Sequence, residues 1–187
     1  MNQAHLDFLA SPEWARLLET TLIPWIDTVG DLGGDVLEIG PGPGLTTDIL
    51  SARVARLTAI EADEQLAAAL SDRLAAAGVV VINGDATRTE LETGRFSSVT
   101  CFSVLHHIPS PEEQDRLFRE VARVLRPGGM FVGTDSRDID VIRAGHADDI
   151  FVPVDPETLG ARLEAAGFAE SEVTADGYQV KFVARKR

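Results

Sequence analysis

Only one cysteine, Cys101, occurs in the 187 residues, and a lone thiol excludes an internal disulfide or a cysteine-built metal cluster. Its apolar setting, 99–104, marks it as an inert buried thiol. Basic side chains are also scarce: 17 Lys and Arg stand against 30 Asp and Glu, a formal net charge of −13. A field of that sign repels phosphate backbones and anionic membrane surfaces. The one basic cluster, Arg185-Lys186-Arg187, reads as a solvated tail. No apolar run reaches the roughly 18 residues that span a bilayer, and the N-terminus lacks the basic-then-apolar layout of a signal peptide. These absences lead to the expectation of a cytoplasmic protein with no nucleic-acid and no membrane partner. Histidines at ligand spacing do not accompany the carboxylates, so no metal is expected. Repeats, low-complexity tracts and linkers are missing too, and this length with 44% hydrophobic residues suits one α/β domain, 1–187.

What is present is alternation. Segments 36–39, 56–60, 79–82, 98–102 and 130–134 are short, apolar and often β-branched, the pattern of parallel strands buried on both faces. Helical segments separate them. Asp63 caps a helix with Leu66, Leu70 and Leu74 on one face, and Gly78 follows as a left-handed cap. Ser110, Pro111 and Glu113 form a capping box ahead of a stripe of Leu117, Phe118, Val121, Val124 and Leu125. Asp155 and Pro156 open a third helix, with Leu159 and Leu163 inward and Gly167 past its end. Repeated β-α-β units predict an open, doubly wound sheet with helices on both faces. Beyond Gly167, 171–175 and 179–184 read as strands joined at Asp176-Gly177, so the mostly parallel sheet ends in a C-terminal antiparallel hairpin. Upstream, 12–29 carries Trp14, Leu17, Leu18, Leu22, Ile23, Trp25 and Ile26, one or two helices broken near Pro24.

In open α/β sheets, ligands bind beyond the carboxyl ends of the strands where strand order reverses. The first strand runs into "VLEIGPGPGL", which gives acid-x-Gly-x-Gly-x-Gly with Glu38 as the acid and Gly40, Gly42 and Gly44 as the glycines. Such a loop lets a ligand approach the backbone, and the following helix N-terminus offers free N–H groups. A dinucleotide fingerprint requires glycine at its sixth position, here Leu45, which disfavours a nicotinamide-dependent reductase. Glu61 ends the second strand, where a carboxylate can accept both hydrogen bonds of a ribose diol. Asp85 follows the third strand, "CFSVLHHIP" the fourth, and "LRPGGMFVGTD" announces the fifth.

In their order and spacing, "VLEIGPGPG", "AIEAD", "NGDAT", "VLHHI" and "LRPGGMF" resemble the class I, Rossmann-like S-adenosylmethionine-dependent methyltransferase family, from Val36 to the end of the chain. The resemblance implies a seven-stranded sheet with one antiparallel strand, a cofactor-binding core over 35–187 and an N-terminal helical lid over 1–34. Carried over by position, Glu38, Gly40, Gly42 and Gly44 line the methionine portion of S-adenosyl-L-methionine, and Glu61, with Ala62 beside it, holds the ribose hydroxyls. Asp85 and the Ala86 backbone meet the adenine, and Phe102 and Ser103 lie beside the transferable methyl. One departure is visible: many relatives read Phe-Asp where this chain has Phe96-Ser97, a change that bears on local capping rather than on the cofactor.

Such an enzyme must align an acceptor with an already activated methyl, and an acceptor carrying a proton also needs a base. His106 and His107 follow the fourth strand, and His146 lies in the connection between the fifth strand and the third helix; these are the catalytic candidates. Each has a blander reading, as a strand cap or a solvated polar residue. Asp135 is placed to orient a histidine or a cationic acceptor, or to cap a helix. Trp14 and Trp25 read as core or as an aromatic lid. The acidic charge and the short stretch before the first strand favour a small-molecule acceptor, methylated on oxygen, nitrogen, sulfur or carbon. The alternatives are a protein or other macromolecular acceptor, or a non-catalytic cofactor-binding module. Oligomeric state is left open.

Overall fold

Apolar side chains on both sides of the central strands demand cover on both faces, and the computed structural model, which describes residues 3–147 and 149–187, supplies it there. The edge segments 80–83 and 168–175 leave most side chains exposed or half-buried, so the expected burial on both faces fails for the third strand. In β1 (Asp35–Ile39), Val36 enters one core and Leu37 and Ile39 the other. The remaining strands are β2 (Arg56–Glu61), β3 (Val80–Asn83), β4 (Phe96–Phe102), β5 (Leu125–Ser136), β6 (Phe168–Ala175) and β7 (Gln179–Lys186). They form one seven-stranded sheet in the order β3-β2-β1-β4-β5-β7-β6. Strands β1 to β5 pair in parallel, and β7 is antiparallel to both β5 and β6.

Helices on both faces complete the doubly wound architecture. The helices are α1 (Gln3–Leu9), α2 (Pro12–Leu17), α3 (Ile23–Val29), α4 (Leu45–Ser51), α5 (Glu64–Leu74), α6 (Pro111–Val124), α7 (Asp140–Gly145) and α8 (Pro156–Ala166). On one face, Leu117, Phe118 and Val121 of α6 and Leu159 and Leu163 of α8 pack with Phe131, Phe168 and Phe182 of the sheet. On the other, Leu50 of α4, Leu70 and Leu74 of α5 and Ile26 of α3 cover Val36, Leu57 and Val132. Among the described residues no helix is long and apolar enough to cross a membrane.

Most predicted boundaries hold. The Asp63 carboxylate accepts from the Gln65 and Leu66 N–H groups, Asp155 accepts from Glu157 N–H, and Gly78 and Gly167 both end helical segments in the left-handed region. Three features differ. The helix over 12–29 is not broken at Pro24: α2 passes through a π-helical turn, Leu18–Leu22, into α3. That wider turn relieves the clash which a proline otherwise makes with the carbonyl four residues back. The capping box of α6 is half made, because Ser110 Oγ accepts from Glu113 N–H while the Glu113 carboxylate pairs with Arg116 at 2.7 Å. The hairpin loop is Asp176-Gly177-Tyr178, where the Asp176 carboxylate accepts from the Tyr178 and Gln179 N–H groups at 2.8 Å. Ser97, in place of the family's acid, keeps the entry to β1 tied: its Oγ accepts from Asp35 N–H at 3.1 Å and lies 2.8 Å from the Leu32 carbonyl.

Candidate active site

The order of the sheet reverses between β1 and β4, and the carboxyl ends of β1, β2, β3 and β4 surround a cavity of about 300 Å³. The glycine loop forms one wall. At Gly42 the backbone has φ +55°, and a Cβ built there meets no atom within 4 Å, so the missing side chain leaves open space for a ligand. Gly44 serves packing instead: a Cβ there would lie 2.3 Å from Leu70 Cδ1 of α5. Gly40 and Gly42 line the cavity, whereas Gly44 and Glu38 stand outside its wall.

Glu61 holds the loop in place. Its Oε2 accepts from Gly42 N–H and its Oε1 from Asp63 N–H, each at 3.0 Å. Each oxygen keeps a second lone pair, and the residue lines the cavity beside Ala62. Behind the loop, Glu38 is 2% exposed. Burial pushes its carboxyl up from 4.5 to about 7; the Thr47 and Thr46 hydroxyls draw it partly back, and the negative charges of Asp48 and Glu61 add to the rise. No hydrogen-bond donor among the described residues reaches its Oε2. A cradle without a Cβ, backed by a buried carboxyl without a full set of donors, suits a ligand bearing positive charge.

Asp85 and Ala86 line the far end of the cavity, with Asp85 Oδ1 also accepting from Thr87 N–H at 2.8 Å. Phe102 and Ser103 lie at the end of β4. Ser103 is the one non-glycine residue among those described with positive φ, +59°, and its N–H is anchored to the Thr134 carbonyl at 2.8 Å. Such a conformation is rarely populated and persists where the surroundings enforce it, often at functional sites. Leu6 and Leu9 of α1 and Trp14 of α2 also face the cavity. Sequence reasoning missed both leucines, since nothing in a short apolar segment tells which neighbour it covers. The two tryptophans separate: Trp14 borders this cavity, whereas Trp25 lies under Lys181 of β7, its ring centroid 5.8 Å from the ammonium.

The three histidines come together although His146 lies 39 positions after His107. Only His107 lines the cavity. His106 is 1% exposed and lies behind it, with ring centroids 4.2 Å apart. Its Nδ1 is 2.6 Å from Asp135 Oδ1, and its backbone N–H reaches Asp135 Oδ2 at 3.3 Å. A carboxylate accepts only, so a ring proton sits on Nδ1, and in the neutral ring Nε2 presents its lone pair. That Nε2 has no hydrogen-bond partner among the described residues, an arrangement costing about 1–3 kcal/mol for a buried acceptor. His146, after α7, packs at a tilt against Phe151 at 4.6 Å and meets His106 edge-on at 4.9 Å. Gln114, a residue no motif flagged, docks this segment by donating to the Leu105 and Val152 carbonyls. Cys101 is fully buried, and burial followed by the Asp135 charge raises its thiol well above the ordinary value, so it is inert.

Comparison with known proteins agrees with this geometry. The family model described as a methyltransferase domain matches residues 37–133, more than half of the chain. A ubiquinone biosynthesis O-methyltransferase of Pseudomonas aeruginosa is 31% identical over 121 residues, 62% of this chain and 51% of that protein. The chain thus spans about half the length of the curated relatives it matches. Among solved structures, a Pyrococcus horikoshii protein superposes with a TM-score of 0.82 at 18% identity, covering 96% of this chain and 94% of that one. A SAM dependent methyltransferase from Aquifex aeolicus gives 0.76 at 20% identity, with coverage of 99% and 98%. At such identities the superpositions speak for the fold, and with the matched family model they lead to one conclusion: the chain belongs to the methyltransferase-domain family and carries its class I α/β fold.

Proposed function

We propose that the protein is an S-adenosylmethionine-dependent methyltransferase acting on a small, largely apolar acceptor. The observation that carries this reading is the convergence of four strand ends on one cavity, with Gly42 open towards it and Glu61 at its rim. When bound, the cofactor supplies an electrophilic methyl group on a sulfonium. Gly40 and Gly42 cradle its amino-acid end, and Glu38 balances positive charge from behind. The second lone pairs of Glu61 accept from the ribose hydroxyls beside Ala62. Asp85 and the Ala86 backbone receive the adenine, and Phe102 and Ser103 flank the methyl.

The chain's remaining task is to align the acceptor and exclude water, an effect worth roughly 7–11 kcal/mol for well-oriented partners. Leu6, Leu9 and Trp14 act as the lid, and with Ile108 they favour an apolar body for the acceptor. A cavity of about 300 Å³ falls at the small end of small-molecule sites. The O-methyltransferase relatives support oxygen as the methylated atom, and the net charge of −13 speaks against a nucleic-acid acceptor. His107, the one histidine of the three on the wall, takes the proton of an acceptor hydroxyl.

Transfer of label from methyl-labelled S-adenosylmethionine into a fractionated cell extract tests this directly, with Glu61→Ala as control. Label in the metabolite fraction, lost with the variant, is expected. Label confined to protein or nucleic acid would overturn the small-acceptor reading, and cofactor binding without transfer would make the chain a binding module.

A further inference from the structure

The fold assembles a ligand set that spacing along the chain conceals. One ring nitrogen from each of His106, His107 and His146 lies within 4.8 Å of the others. A tetrahedral zinc with Zn–N bonds of about 2.0–2.1 Å holds neighbouring nitrogens ~3.3 Å apart, so small rotations of the side chains close the set on an ion. We propose that these histidines form a zinc site that clasps the connection between β5 and α8 to the turn after β4.

Two hydrogen bonds prepare the rings for this role. His106 Nδ1–H donates to the buried Asp135 at 2.6 Å, and His146 Nδ1–H donates to the Ile142 carbonyl at 2.8 Å. Both therefore turn the Nε2 lone pair outward as the coordinating atom. A carboxylate behind a histidine ligand is the usual second support of a zinc site, fixing the tautomer and raising ligand basicity. Asp135 is itself held, accepting from the Ser136 N–H at 2.7 Å. His106 Nε2, which lacks a hydrogen-bond partner among the described residues, gains one in the ion. A second carboxylate stands close: Asp149 Oδ2 is 4.0 Å from His107 Nδ1. A purely imidazole set suits zinc among abundant divalent ions, whereas magnesium and calcium require oxygen donors.

Three protein ligands leave a fourth position open, as in catalytic zinc sites. Because His107 belongs both to the cluster and to the cavity wall, that position is available to a hydroxyl or thiol entering the cavity. Ligation uses the lone pair that His107 would offer as a base. With zinc bound, the ion would acidify a hydroxyl or thiol at its fourth position, in place of the base role of His107. This last consequence rests on the methyl-transfer reading; the site itself does not.

The test is zinc binding by the chelator-treated full chain without S-adenosylmethionine, measured by competition with a chromophoric chelator, with cobalt as a visible-absorption probe of geometry. One zinc per chain and a tetrahedral cobalt spectrum are expected. His146→Gln and His107→Gln should each weaken binding at least 100-fold, and Asp135→Asn by 10–100-fold. Thermal melting in chelator shows that the variants remain folded, and Phe151→Leu, which alters ring packing but no ligand, should bind as the wild type does. Absence of stoichiometric zinc in the wild type, or binding that survives both glutamine substitutions, would overturn the proposal.

Discussion

Replacing Glu38 by glutamine should alter the pH dependence of stability in a defined window. The folded carboxyl titrates at about 7 against 4.5 when unburied. A carboxyl raised in this way binds more protons folded than unfolded between those two values, so stability falls as pH rises through them. Below 4.5 both states are protonated and the residue is neutral in effect; above 7 both are ionised and the whole penalty applies. At about 1.4 kcal/mol per pH unit the penalty reaches about 3 kcal/mol. For a domain of this size, about 2–4 °C of melting temperature per kcal/mol gives roughly 6–12 °C. Glutamine keeps the neutral shape and removes the titration, so the variant should match the wild type near pH 4 and exceed it by that margin at pH 8. Thermal melts at half-unit intervals of pH measure the difference, in which the other titrating groups cancel. A constant offset across pH 4–8 would refute the assignment of a buried, proton-binding Glu38.

Other substitutions separate binding from folding. Gly42→Ala places a Cβ in open cavity space at φ +55°. The left-handed backbone costs about 1–2 kcal/mol, so a modest loss of melting temperature should accompany at least a tenfold loss of cofactor affinity by calorimetry. Glu61→Ala removes the acceptor of both the Gly42 and Asp63 N–H groups and should weaken S-adenosylmethionine binding sharply; an unchanged dissociation constant would overturn the cofactor assignment. His107→Gln should reduce turnover far more than cofactor affinity, measured by steady-state kinetics beside calorimetry. Gly133→Ala sets a Cβ 2.2 Å from Phe182 Cζ and 2.7 Å from the Cys101 carbonyl oxygen, and overpacking there should destabilise by about 1–3 kcal/mol in denaturant unfolding.

The sheet was legible because each β-α-β unit repeats one local signal, an apolar β-branched run followed by a capped amphipathic helix. Caps such as Asp63, Asp155 and Gly167 act within a few residues of themselves, so reading them needs no tertiary information. The glycine loop with Glu61 and Asp85 was legible for a related reason: each sits at a strand end, and parallel strands bring their ends to one edge. The reading fell short where a partner is chosen in space. Glu113 has two competing options, the Ser110 backbone and Arg116, and only side-chain placement selects the second. Pro24 signals a break, yet a π-turn absorbs it without ending the helix.

Sequence alone determined the class I architecture and the strand-end residues of the proposed cofactor seat, since both follow from local periodicity and from the edge where parallel strands end. It also set the acidic surface, which is a matter of composition. Tertiary structure decided that α1 and α2 bring Leu6, Leu9 and Trp14 to the cavity, that Glu61 clamps the glycine loop, and that Asp135 orients His106. It also brought His146 back across the connection after β5 to meet His106 and His107. These contacts join residues far apart along the chain, and their geometry arises only when the crossovers and the two cores have fixed where each segment lies.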